Sequence, residues 1–143
     1  MKIGLKNTGI LKVKINRSKL EKLFKEIVLK ENKKLGEIQL VFLKDQEILK
    51  INREFLSHNY FTDVIAFEYN KKGTISGDIC IGTGSVARNA KQYKTLFQDE
   101  LIRVIIHGVL HLLGYDDGIK ESREQMKIKE DFYLEVFRDL NDE

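Results

Sequence analysis

Residues 96–118 read LFQDELIRVIIHGVLHLLGYDDG, and the fold turns on how this stretch is read. Between positions 96 and 113 apolar residues occupy almost every helical face, interrupted by a charged first turn, Arg103, His107 and His111. A helix that is apolar all round belongs in an interior, so the pattern predicts a buried central helix. Thr95 and Gln98 have the spacing of a capping box, and Asp99 and Glu100 suit the positive end of the helix dipole. Gly114 is the expected stop. With Arg103 and His107 inside it, the run falls short of the roughly 18–20 apolar residues that a membrane span requires, and no membrane partner is expected.

Upstream, DVIAFEY (63–69) is β-branched and aromatic, Lys71-Lys72-Gly73 marks a turn, and TISGDICIG (74–82) reads as the hairpin partner. Residues 85–93 should be helical. EIQLVFL (37–43) reads as a further strand, and Asp45 begins a short helix through Ile48, Leu49 and Phe55. Leu20, Leu23, Phe24, Ile27 and Val28 form one face of an earlier helix, with Ser18 and Glu21 spaced as its capping box and Gly36 closing the unit. ILKVKI (10–15) alternates apolar and basic residues, the pattern of a half-buried strand. Beyond the central stretch, Met126, Tyr133, Val136, Phe137 and Leu140 give a last amphipathic helix. This order predicts an α+β fold: a small mixed sheet of about four strands, with helices packed around the buried central helix. No proline, repeat or low-complexity tract marks a linker, so residues 1–143 are expected to form a single domain.

Composition narrows the setting. The chain has 143 residues, 42% hydrophobic and 33% charged, as in ordinary globular proteins. Cys80 is its one cysteine, which excludes an internal disulfide and suits a reducing, cytoplasmic location. MKIGLKNTGILKVKINR lacks the continuous apolar segment of a secretory leader. The net charge of +3 is unevenly spread: residues 1–50 carry 13 Lys/Arg against 6 Asp/Glu, whereas residues 116–143 carry 5 against 10. The basic first third fits either a polyanionic partner such as RNA or a solvated helix face.

The chemistry concentrates in HGVLHLLGYDDG (107–118), which holds two of the three histidines. At i and i+4 on a helix, His107 and His111 project from one face and can aim lone pairs at one metal ion. Past the chain reversal at Gly114, Asp117 is placed either to return a carboxylate to the same point or to serve as a turn residue. Two imidazoles and a carboxylate would leave a position open for water, as in catalytic rather than structural zinc sites. The other reading of the pair is two core histidines bonded to backbone carbonyls. A zinc peptidase is disfavoured, because the glutamate that serves as its base is replaced by Gly108.

HGVLHLLGYDD resembles the H-G-x-L-H-L-x-G-Y-D-H signature of the YbeY family. Asn52-Arg53 followed by Thr62-Asp63-Val64-Ile65 is similar to that family's N-R…T-D-V-L segment, Gly77-Asp78-Ile79 to its G-D-I strand, and Met126 falls where a methionine is usual. The resemblance spans roughly residues 35–140. It implies a compact α+β metal-dependent endoribonuclease, specific for single strands, with His107 and His111 as metal ligands and zinc as the usual ion. The role implied is maturation of the small-subunit (16S) ribosomal RNA 3′ end, together with ribosome assembly and quality control. Ribosomal RNA, ribosomal particles and assembly factors would be the partners. Two positions depart from the pattern. Asp117 stands where the family has its third histidine ligand; a carboxylate still completes a zinc site, and its added charge also suits a harder divalent ion. Leu56 stands where an arginine thought to serve the phosphate is expected, with Arg53 and His58 nearby.

Two other classes of function stay open on the sequence. One is a non-catalytic assembly factor whose metal staples residues 114–118 to the helix. The other is a non-haem iron oxygenase, which uses two histidines and a carboxylate. His58, in SHNYFTD (57–63), is either a proton donor or phosphate contact or a solvated loop residue. Asp63 and Asp78 are candidates to orient the imidazoles or to cap strand ends. Cys80 reads as a small core residue, and Lys12 and Lys14 as phosphate contacts or edge-strand gatekeepers.

Overall fold

The apolar run forms a helix, α4 (Phe97–Leu112), in the computed structural model, which describes residues 3–58 and 60–141. Leu101, Val104, Ile105, Ile106, Val109, Leu110 and Leu112 are all but sealed from solvent, as an all-round apolar helix requires. It lies against a sheet of four strands, β1 (Ile3–Lys6), β2 (Lys34–Leu43), β3 (Val64–Glu68) and β4 (Thr74–Gly82), in spatial order β1-β2-β4-β3. The β1/β2 and β2/β4 pairs are parallel and the β3/β4 hairpin is antiparallel, so the sheet is mixed. The remaining helices are α1 (Arg17–Lys30), α2 (Asp45–Leu56), α3 (Thr83–Tyr93) and α5 (Lys120–Asp139).

The period of two along each strand sorts side chains between two cores. Ile38, Leu40 and Phe42 of β2, with Ile75, Ile79 and Ile81 of β4, join the larger core with α1, α4 and α5. Leu43, Ile65 and Cys80 point the other way and meet Ile48 of α2 in a smaller one. Cys80 is therefore a packing residue, and burial pushes its thiol up to about 11. Close approach of α4 to the sheet depends on Gly108, where a Cβ would sit 2.6 Å from Ile79 Cγ2.

Gly114, with φ of 98°, ends α4 in a Schellman turn: the Tyr115 N–H donates to the Leu110 carbonyl and the Gly114 N–H to that of His111, both at 3.0 Å. Helix α1 ends the same way at Asn32, with φ of 60°, and not at Gly36 as expected. Gly36 lies inside β2, at the register shift between Leu35 and Ile38. Both expected capping boxes are displaced. Asn16 caps α1 by accepting from the Lys19 N–H at 3.0 Å, and Leu96 precedes α4 with no side-chain cap.

The segment 10–15 is not a strand. Thr8–Ile10 is a short 3-10 turn, and Leu11, Val13 and Ile15 lean on the core while Lys12 and Lys14 face solvent. Alternation reports sidedness of burial, and here that sidedness arises without ladder hydrogen bonds. The strand that does pair with β2 is Ile3–Lys6, too short to announce itself. Lysines of α1 pair with glutamates of their own helix, Lys25 with Glu21 at 3.3 Å and Lys30 with Glu26 at 3.6 Å, which favours the solvated-face reading of that basic stretch.

Candidate metal centre

One turn apart on α4, His107 and His111 bring their Nε2 atoms to 3.0 Å from each other. Asp117, carried back by the turn after Gly114, places Oδ2 3.3 Å from His107 Nε2 and 3.7 Å from His111 Nε2. A tetrahedral ion with bonds of about 2.0–2.1 Å requires ligand atoms about 3.3 Å apart, so this triangle has the size such an ion needs. The group can hold a metal ion. The turn role belongs to the neighbouring carboxylate, since Asp116 Oδ1 accepts from the Gly118 N–H at 3.0 Å, and Asp117 is left to face the histidines.

The two rings sit in different electrostatic settings. Glu130 of α5 lies 2.5 Å from His107 Nδ1, holding the ring's proton on that side and turning the Nε2 lone pair toward Asp117. Burial pulls the His107 pKa down, but the Glu130 bond and charge, helped by Asp117 and Asp63, overcome it and hold the ring above the usual histidine value. For His111, burial and the neighbouring His107 outweigh Asp117 and hold it below the usual value, which favours a neutral ring. Arg103 bridges Glu130 at 3.2 Å and Asp131 at 2.6 Å, so the buried carboxylate behind His107 is itself paired.

The triangle forms the floor of a cleft of about 190 Å³, walled by Asn52, Leu56, His58, Tyr60, Thr62 and Asp63. A larger groove of about 570 Å³ adjoins it through Asp63, His107 and Asp117, and Arg103, Arg123 and Lys127 are among its lining residues. Desolvation raises the pKa of Asp63, which Asn89 holds by donating from Nδ2 at 3.1 Å.

The family described as Endoribonuclease YbeY matches residues 7–138. This chain belongs to the YbeY family. Proteins named Endoribonuclease YbeY resemble it over most of their length. That of Chlorobaculum parvum is 39% identical, with 87% of this chain and 88% of the relative aligned. That of Porphyromonas gingivalis is 38% identical over 96% and 91%, and that of Karelsulcia muelleri 44% over 76% and 77%. Among solved structures, the solution structure of TM1509 from Thermotoga maritima superposes with a TM-score of 0.63 at 28% identity, covering 94% of this chain and 88% of that one.

Within this YbeY-family fold the sequence motifs fall into distinct places. His107, His111 and Asp117 come together, and Leu56 and His58 wall the same cleft. Asp63 reaches the cleft, but its hydrogen bond is to Asn89 and not to an imidazole. Asp78 lies on the opposite face of the sheet, accepting from the Tyr69 hydroxyl at 2.7 Å. Glu130, and neither of those two candidate aspartates, hydrogen-bonds an imidazole, and no sequence spacing connects it to His107. Asn52 is 2% exposed and ties the cleft wall to α2: its Nδ2 donates to the Tyr60 carbonyl at 2.9 Å, and its backbone carbonyl accepts from the His58 N–H at 3.1 Å.

Proposed function

We propose that this chain is an endoribonuclease that cuts single-stranded RNA at the centre formed by His107, His111 and Asp117, with one divalent ion, zinc, held by the three. The observation that carries this reading is the triangle of His107 Nε2, His111 Nε2 and Asp117 Oδ2 at the floor of an open cleft in a YbeY-family chain. The ion, when bound, would polarise a phosphoryl oxygen and lower the pKa of a water molecule.

The chain's own residues supply the remainder. Glu130 keeps the His107 proton on Nδ1, and the Tyr115 backbone carbonyl accepts from the His111 ring, so both rings are oriented before any ligand arrives. Asp117, beside the two histidines, repels an approaching phosphodiester unless a cation offsets its charge. RNA binding and metal binding are thereby coupled. The narrow cleft admits a phosphate from a strand whose bases are splayed, the usual form of RNA recognised outside helices. We place the activity in the cytoplasm, in maturation of the small-subunit ribosomal RNA 3′ end, with ribosomal particles and assembly factors as partners.

The test compares single-stranded and duplex oligoribonucleotides with protein stripped by a chelator and then resupplied with zinc or manganese. Cleavage confined to the single strand, lost on stripping and restored by the ion, is the expected result. Undiminished cleavage by stripped protein would contradict it. In cells lacking the protein, 3′-extended small-subunit precursors should accumulate; their absence would remove the ribosomal assignment while leaving the nuclease.

A further inference from the structure

We propose that His58 is the general acid of the cleavage reaction, protonating the 5′-oxygen of the leaving nucleotide. The inference rests on the reading of the three-residue group as the reaction centre. Cutting a phosphodiester generates an alkoxide, which leaves readily only if a proton reaches it. Among the described residues that wall the cleft there is no lysine or arginine, and the two other histidines belong to the triangle. Asp63 also reaches the cleft, but its carboxylate is half-buried and held by Asn89, which leaves His58 as the exposed side chain there of a type that carries and releases a proton.

Its setting is built. The imidazole stacks on Tyr60, with ring centres 5.2 Å apart and planes 17° from parallel. The Tyr60 hydroxyl lies 3.0 Å from Nδ1, so that nitrogen is engaged and Nε2 is the one presented to a ligand. Ser57, with φ of 57°, turns the chain at the end of α2; beyond the turn the Asn52 backbone carbonyl accepts from the His58 N–H, and the Asn52 side chain donates to the Tyr60 carbonyl. A buried asparagine side chain that fixes Tyr60, the residue stacked on His58, is hard to explain by solvation of the loop alone.

In the step, the bond from the attacking oxygen to phosphorus forms and the bond from phosphorus to the 5′-oxygen breaks. The proton on His58 Nε2 passes to the 5′-oxygen, the attacking oxygen releases its own proton to water, and His58 recovers a proton from water. No electrons are transferred. Tyr60 is a positioning residue, acting through Nδ1.

The test pairs an ordinary single-stranded oligoribonucleotide with one carrying a 5′-bridging sulfur at the cleavage position, whose thiolate leaves without protonation. Wild type, His58→Gln and His111→Ala are assayed on both, with metal content and melting temperature measured for each. We expect His58→Gln to lose about 100-fold or more on the oxygen substrate and to match wild type on the sulfur substrate, with metal content and melting temperature unchanged. Equal loss on both substrates, no loss on the oxygen substrate, or loss of metal from His58→Gln would overturn the proposal. Undiminished cleavage by His111→Ala would sink the reaction-centre reading instead, a separate failure.

Discussion

Glu130 lies at His107 Nδ1, and Asp117 adds a carboxylate to the two imidazoles. Replacing Glu130 with Gln keeps an acceptor and removes its charge, so metal affinity should fall about 10–100-fold, measured by competition with a chelating dye. Affinity equal to wild type would show that the second carboxylate is irrelevant to the ion. Asp117→Ala should weaken binding, while Asp117→His should preserve or raise it; if both bind zinc as wild type does, Asp117 is no ligand. The two histidines and the aspartate were legible because they fall within eleven residues of one motif. Glu130 was not, because it sits on another helix, 23 residues from His107, and only the packing of α4 on α5 brings them together.

Two glycines, Gly108 within α4 and Gly114 just past its end, set where those groups stand. At Gly108 a methyl group would press on Ile79, an overpacking that costs about 1–3 kcal/mol, while the better helix propensity of alanine returns up to about 1 kcal/mol. Gly108→Ala should therefore lower the melting temperature; a rise would mean that α4 shifts at no cost. Gly114 is in open space but at φ of 98°, so Gly114→Ala tests backbone strain alone. A loss of about 1–2 kcal/mol in urea unfolding is expected, with weaker metal binding because the turn delivers Asp117. Helices, the hairpin and α4 itself were legible in periodicity and turn chemistry. The two strand errors share one cause: apolar patterns report which side of a segment is buried, and they are silent on hydrogen-bond partners. Residues 10–15 alternate without joining the sheet, and β1 joins it with four residues too few to show a pattern.

Across the whole molecule, Glu31 links three elements at the end of α1: it accepts from the Tyr115 hydroxyl at 2.6 Å, and from Lys129 Nζ and the Tyr133 hydroxyl at 3.2 Å each. Burial alone would raise its pKa, but these bonds and the Lys129 charge hold it below the ordinary 4.5. A carboxylate with a depressed folded pKa contributes stability that is present above its unfolded value and lost as pH falls through the folded one. Stability should accordingly decline below about pH 4.5, and less steeply in Glu31→Gln, when urea midpoints are measured across that range. Parallel declines in the two proteins would dismiss the link. The assembly of sheet, buried helix and C-terminal helix has one functional consequence above the others, the triangle at the cleft floor. The most direct measurement of it is the metal content of protein purified without a histidine tag, taken beside single-stranded RNA cleavage, for wild type and His111→Ala. We predict one ion per wild-type chain, little in the variant, and cleavage lost with the ion. Equal metal in both proteins, or cleavage that persists in His111→Ala, would contradict the assignment.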